Sequence, residues 1–203
     1  MDGLKPTVVW DVDDVLNDLM ASWLVQVWVP EHPDRPMAYS DVLTNPPHEL
    51  LGIDRSAYLA SLDDFRTSDA YAAMPPNPRI LAWLEANGER CHHVALTATA
   101  LRAAPSTAAW VLRHFGRWIR GFAVVPAERA GEHLPRYDAD KGAWLARLRG
   151  PAIVVDDAPA NLAAAAAAGA STLRWPQPWN GEAGTHEDAL VELDRWLEAR
   201  GAA

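Results

Sequence analysis

Asp11, Asp13 and Asp14 crowd one apolar run, VVWDVDDVL at residues 8–16, where Val, Trp and Leu ought to be buried. Two unit charges ~4 Å apart repel by ~4 kcal/mol at an effective dielectric near ~20. Such acids either splay into water as an ordinary turn or gather around a cation. A second apolar run, AIVVD at 152–156, ends in Asp156 and is followed at once by Asp157. Carboxylates converging from two strand ends suit a hard divalent ion such as Mg²⁺, which is commonly shared with a substrate phosphate. Two more residues fit that chemistry. Thr97 closes the run HHVALT and offers a hydroxyl. Lys141 opens a helical stretch in YDADKGAWL. Of the 18 Lys and Arg residues only Lys5 and Lys141 are lysines. A chain that otherwise uses the planar Arg fork keeps a compact point charge here. The plainer reading of Lys141 is a solvated lysine at a helix start.

The elements that must position these groups alternate regularly. Strands are expected at 7–11, 92–97, 121–126, 152–156 and 171–175, mostly as continuous apolar runs of the kind found in parallel sheets covered on both faces. Helices are expected at 77–87, 104–116, 140–149, 158–168 and 185–199, so the fold class is α/β with helical crossovers. In such sheets ligands bind outside the carboxyl ends of the strands. That is where Asp11, Thr97 and Asp156 fall. The rhythm fails once, between the first strand and residue 77. There the chain shows helical signals at 15–29 and 55–73, a break PEHPDRPM at 30–37, and prolines at 75, 76 and 78. A small helical insert after the first strand accounts for this. The alanine run at 163–168 with Gly169 behind it reads as a thin helix packed close to the sheet.

Bulk properties narrow the function. A chain of 203 residues, 49% hydrophobic and 22% charged, suits one sizeable domain with a smaller insert. A net charge of -9 argues against a general grip on nucleic acid but leaves room for a small phosphorylated ligand. The single Cys91 excludes an internal disulfide and a CxxC zinc site, and its apolar setting suggests a buried thiol. No stretch reads as a signal peptide or a membrane span, so the expected location is the cytoplasm. His92 and His93 fall inside a strand and read as structural. Ser106 and Ser171 lack the elbow motif of a serine hydrolase.

VVWDVDDVL, VALTATA, DKGAWL and IVVDDAPAN resemble, in order, the four motifs of the haloacid dehalogenase (HAD) superfamily. The resemblance spans about residues 7–175. It implies a Rossmann-like core at 1–16 and 77–203 with strand order 5-4-1-2-3, and a helical cap of the superfamily's first type at 17–76. It also implies a Mg²⁺-dependent phosphomonoesterase in which Asp11 is the nucleophile that becomes an aspartyl phosphate. Asp13 would be general acid and then base, and would bind the metal through its carbonyl. Asp156 would ligate the metal with Asp157 behind it. Thr97 would hydrogen-bond the phosphoryl group, and Lys141 would offset its charge. Dehalogenases lack an acid two residues after the nucleophile, so Asp13 favours phosphoryl transfer. Asp14 stands where relatives often have Gly.

The implied substrate is a small phosphorylated metabolite. DxDxVL, the early cap and the turn in LRWPQPWN (173–180) resemble the deoxyribonucleotidase-like branch, which makes a nucleoside monophosphate the best single choice. Trp23, Trp28, Tyr39, Tyr58, Phe65 and Tyr71 lie in the insert, either to stack a base or, more simply, to form its core. Arg66 and Arg102 are candidates for touching substrate phosphate. A phosphomutase, a sugar phosphatase and a non-catalytic binding or regulatory protein on the same fold are the alternatives.

Overall fold

The computed structural model describes residues 4–125, 127, 129, 132–135 and 137–201. Five strands form one sheet: β1 (Thr7–Trp10), β2 (His92–Thr97), β3 (Gly121–Val124), β4 (Ala152–Asp156) and β5 (Ser171–Arg174). All pairings are parallel and the order is β3-β2-β1-β4-β5, which is the expected order read from the other edge. β1 is central. Val9 lies beside Val94 of β2 and Val154 of β4, so the first strand is paired on both sides. The third strand, expected to run to Pro126, ends at Val124, and Pro126 lies outside the described residues.

Alternation along β1 divides its side chains between two cores. Val8 and Trp10 join a large cluster with helix Pro78–Asn87, helix Ala104–Phe115, helix His186–Glu198 and the segment after β1. Val9 faces a smaller cluster with Leu145, Leu162 and Ala165 from helices Lys141–Leu145 and Pro159–Ala167. The alanine-rich helix is thin, as expected, and its neighbour comes very close. A Cβ on Gly142 would meet the Ala164 carbonyl oxygen at 2.5 Å, so only glycine permits this approach next to Lys141. The helix expected at 140–149 is only one turn long, Lys141–Leu145. Asp140 caps it by accepting from Ala143 N at 2.8 Å.

Between β1 and Pro78 the described chain is helical and carries no strand. Residues Leu19–Trp23, Leu24–Trp28 and Val29–Glu31 follow one another, and the longest helix of the segment is Arg55–Arg66. Trp23, Trp28, Tyr58, Phe65 and Tyr71 are buried in the same cluster as Trp10. Trp23 packs edge-on against Tyr58 at 5.4 Å, and Phe65 against Tyr71 at 6.3 Å. These rings hold the segment together. Among the described residues, no helix is long and apolar enough to cross a membrane.

His93 is a structural histidine. Trp10 Nε1–H donates to its Nδ1 at 3.1 Å, and its Nε2 lies 2.8 Å from the Gly88 carbonyl, which assigns the proton to Nε2. Burial lowers its pKa from 6.5 to about 4. Between those values the unfolded chain takes up a proton that the folded chain refuses. The contribution of neutral His93 is therefore complete above pH 6.5 and falls away as the pH drops toward about 4. The difference is worth about 3 kcal/mol. Urea unfolding at pH 7 and pH 4.5 should show this loss, and His93→Gln should flatten the slope across the window. An unchanged slope in that variant would place the proton uptake elsewhere. Cys91 is buried, as expected, and burial raises its thiol pKa to about 11.

Candidate active site

At the carboxyl end of β1 the chain leaves the sheet at Asp11 and bends sharply. Asp13 is extended, with φ -75° and ψ 130°, and Asp14 turns into the left-handed region at φ 61°. Among non-glycine residues, Asp and Asn tolerate that region best, which explains why a position that favours glycine accepts Asp14. The Asp14 carboxylate faces inward and accepts from Met20 N at 2.8 Å. Its pKa is raised well above the usual carboxylate range by burial, with nearby Asp157 adding to the effect.

Lys141 joins the strand ends. Its Nζ lies 2.8 Å from Asp11 Oδ1 and donates to Asp156 Oδ2 at 2.6 Å, and the side chain is buried. Burial alone would lower the pKa of this ammonium, but the two carboxylates outweigh it and hold the lysine charged. The plainer reading of a solvated lysine is therefore excluded. Asp156 also accepts from Ala158 N at 2.8 Å and from Asn161 Nδ2 at 3.1 Å. Asp157 receives Trp179 Nε1–H at 2.7 Å.

Asp11, Asp156 and Asp157 are all buried, and one oxygen from each lies within 4.8 Å of the others. A single ammonium cannot neutralise three carboxylates. Burial raises Asp11 well above its usual range, with Asp156 and Asp157 adding to the rise while Lys141 opposes it. Burial and then Asp156 push Asp157 up to about 7. An all-oxygen set with excess negative charge fits a hard divalent ion. Opposed ligands of an octahedral Mg²⁺ sit about 4 Å apart, so modest side-chain adjustment closes the observed span. The Asp13 carboxylate is not part of this trio.

A cleft of about 220 Å³ opens over the acids and is lined by Asp11, Asp13, Thr97, Arg66, Tyr58 and Asn161 among others. Thr97 ends β2 and is buried beside the acids. Asp13 faces helix Arg55–Arg66, where Arg66 Nε donates to its Oδ2 at 2.9 Å. Arg66 Nη1 also holds Asp63 at 2.8 Å, and Asp63 receives Arg129 Nη2 at 2.9 Å. Arg66 thus reaches the cleft. Arg102 does not line it and is instead exposed, paired with Asp64 at 2.7 Å.

Asn161, Gln177 and Trp179 lie within the stretches IVVDDAPAN and LRWPQPWN, but their part in the site is set by the fold. Asn161 had a readable signal, since it lies five residues after Asp156 on the first turn of helix Pro159–Ala167. Gln177 donates from Nε2 to the Asp14 carbonyl at 2.5 Å, which ties a distant loop to the bend after β1. No local pattern announces such a contact.

No protein-family model matches the sequence, and no curated protein matches it either. Solved structures do. The chain is similar to a crystal structure of a HAD-superfamily hydrolase of subfamily IA from Geobacter sulfurreducens, with TM-score 0.54 and 17% identity over 95% of this chain and 97% of that one. A haloacid dehalogenase-like hydrolase from Streptococcus pneumoniae aligns with TM-score 0.60 and 12% identity over 97% and 99%. The protein tyrosine kinase A of Mycobacterium tuberculosis aligns with TM-score 0.61 and 19% identity over 95% and 99%. These likenesses do not single out the nucleotidase-like branch. They agree with the sheet order and the flanking helices described above, and the chain has the Rossmann-like fold of the HAD superfamily.

Proposed function

We propose that the protein is a Mg²⁺-dependent phosphomonoesterase acting through an aspartyl phosphate on Asp11. The observation that carries this reading is Lys141, buried between Asp11 and Asp156, with Asp157 beside them at the base of the cleft. The Asp11 carboxylate attacks phosphorus, the bond to the leaving oxygen breaks, and Asp13 supplies its proton. Water then attacks the phosphorus of the acyl phosphate, Asp13 takes its proton, and Asp11 is regenerated. Lys141 offsets charge between the anionic nucleophile and its target. Thr97 hydrogen-bonds a phosphoryl oxygen. Mg²⁺, held by Asp11, Asp156, Asp157 and the Asp13 carbonyl, would neutralise developing negative charge on the phosphoryl group. A phosphate entering the cleft competes with Asp13 for Arg66, which frees Asp13 to carry a proton. In this reading the helical segment 17–76 is the cap over a core made of 1–16 and 77–203. The partner is a small phosphorylated metabolite, not nucleic acid or a membrane, and the setting is cytoplasmic.

A nucleoside monophosphate remains one substrate to test, with one observation against it. Five of the six insert aromatics are buried, and of these only Tyr58 also lines the cleft, so the insert offers little free ring surface for stacking a base. The cleft of about 220 Å³ shares Ala98, Ala127 and Asn161 with a neighbouring cavity of about 650 Å³ that Lys141 lines, so its own volume sets no limit on substrate size. Arg102 is no longer favoured as a phosphate contact, because it sits outside the cleft and is paired with Asp64.

A screen over nucleotides, sugar phosphates and short phosphorylated acids, with and without Mg²⁺, tests the proposal. Turnover should require the metal, stop with EDTA and return on adding Mg²⁺. Free phosphate among the products distinguishes hydrolysis from a mutase reaction. Activity that survives exhaustive chelation would sink the metal assignment. No turnover of any phosphate ester would favour a binding protein.

A further inference from the structure

Among the described residues Lys141 forms ion pairs with Asp11 and Asp156, and Asp157 is the one buried acid of the three that it does not pair with. Among the described residues the one side-chain hydrogen bond to the Asp157 carboxylate comes from Trp179, whose Nε1–H reaches Oδ2 at 2.7 Å. Next to Asp156, an undirected carboxylate lowers its energy by rotating away from the like charge. A donor on Oδ2 opposes that rotation and leaves Oδ1 for the ion. Metal ligands are commonly oriented by such outer partners.

We propose that Trp179 is a positioning residue of the cation site, its indole N–H fixing the Asp157 carboxylate in the orientation that completes the Asp11–Asp156–Asp157 set. This rests on the cation site proposed above.

The loop that carries Trp179 is anchored independently of that bond. Asn180 Nδ2 donates to the carbonyls of Asp157 at 2.9 Å and Trp175 at 2.8 Å, and its Oδ1 accepts from Gln177 N at 3.2 Å. Gln177 holds the Asp14 carbonyl. The Trp179 ring also packs edge-on against Tyr39 at 5.7 Å. Trp179→Phe keeps an aromatic ring in that contact and leaves every other anchor in place. What it removes is the N–H and part of the ring volume, and thermal unfolding reads the second loss separately.

The test is calorimetric titration of Mg²⁺, and of Mn²⁺ as a tighter-binding stand-in, into wild-type and Trp179→Phe protein without substrate. Thermal unfolding and the metal dependence of turnover complete the comparison. The variant should bind either ion about 10–100-fold more weakly. Its metal-free unfolding temperature should stay near wild type, and most of its kcat should return at saturating Mg²⁺. Equal affinities in the two proteins would overturn the positioning role and leave the phosphatase reading standing. A wild-type protein that binds neither ion would overturn both. A lower unfolding temperature with unchanged metal affinity would make Trp179 a packing residue only.

Discussion

Asp11→Asn should abolish turnover on every substrate, a fall of at least about 10⁴-fold, because no acyl phosphate can form on an amide. The same change should leave the fold intact. Burial and the neighbouring acids Asp156 and Asp157 raise the pKa of Asp11, so a neutral side chain of the same shape relieves repulsion. Lys141 keeps Asp156 at 2.6 Å as its partner. An unfolding temperature at or above wild type, together with lost activity, is the expected pair of results. Residual turnover above about one part in a hundred would mean that Asp11 is not the nucleophile.

Asp13→Asn should instead show a loss that depends on the leaving group. The substitution keeps the backbone carbonyl and leaves Arg66 tied to Asp63 at 2.8 Å, so the cleft retains its shape. What disappears is the proton donor, typically worth about 10²–10⁴-fold. An alkyl phosphate, whose alkoxide must be protonated, should suffer the whole loss. With p-nitrophenyl phosphate the leaving group needs no proton, so the variant should retain more of the wild-type rate. Equal losses on the two substrates would refute the acid role and weaken the case for a phosphatase over other HAD-fold chemistry.

The strands were legible because a parallel sheet covered on both faces writes itself as continuous apolar runs. For that reason the sequence alone places Asp11, Thr97 and Asp156 at the carboxyl ends of neighbouring strands. Lys141 was visible through scarcity, as one of two lysines in the chain. Its burial was not, since that depends on the closeness Gly142 allows against Ala164. The helix there was read too long because its later residues continue a helical pattern that the chain does not follow beyond Leu145. Arg66 and Arg102 looked alike in sequence, yet only Arg66 reaches Asp13, while Arg102 pairs with Asp64. Trp179 lies 22 residues beyond Asp157, and Gln177 lies 163 beyond Asp14. The turn LRWPQPWN that carries both was visible as a motif, but nothing in it says which distant residues it touches.

The central claim, a phosphoryl group carried on the Asp11 carboxylate, can be tested on the wild-type protein itself. Wild-type protein turning over a ³²P-labelled substrate with Mg²⁺ is quenched in acid within milliseconds, reduced with borohydride and digested for peptide mass spectrometry. An acyl phosphate at Asp11 is reduced to homoserine, so homoserine should appear at position 11, only when substrate is present and never in Asp11→Asn. Label on a histidine, a serine or another aspartate, or turnover that proceeds with no covalent label in the quench, would contradict the account.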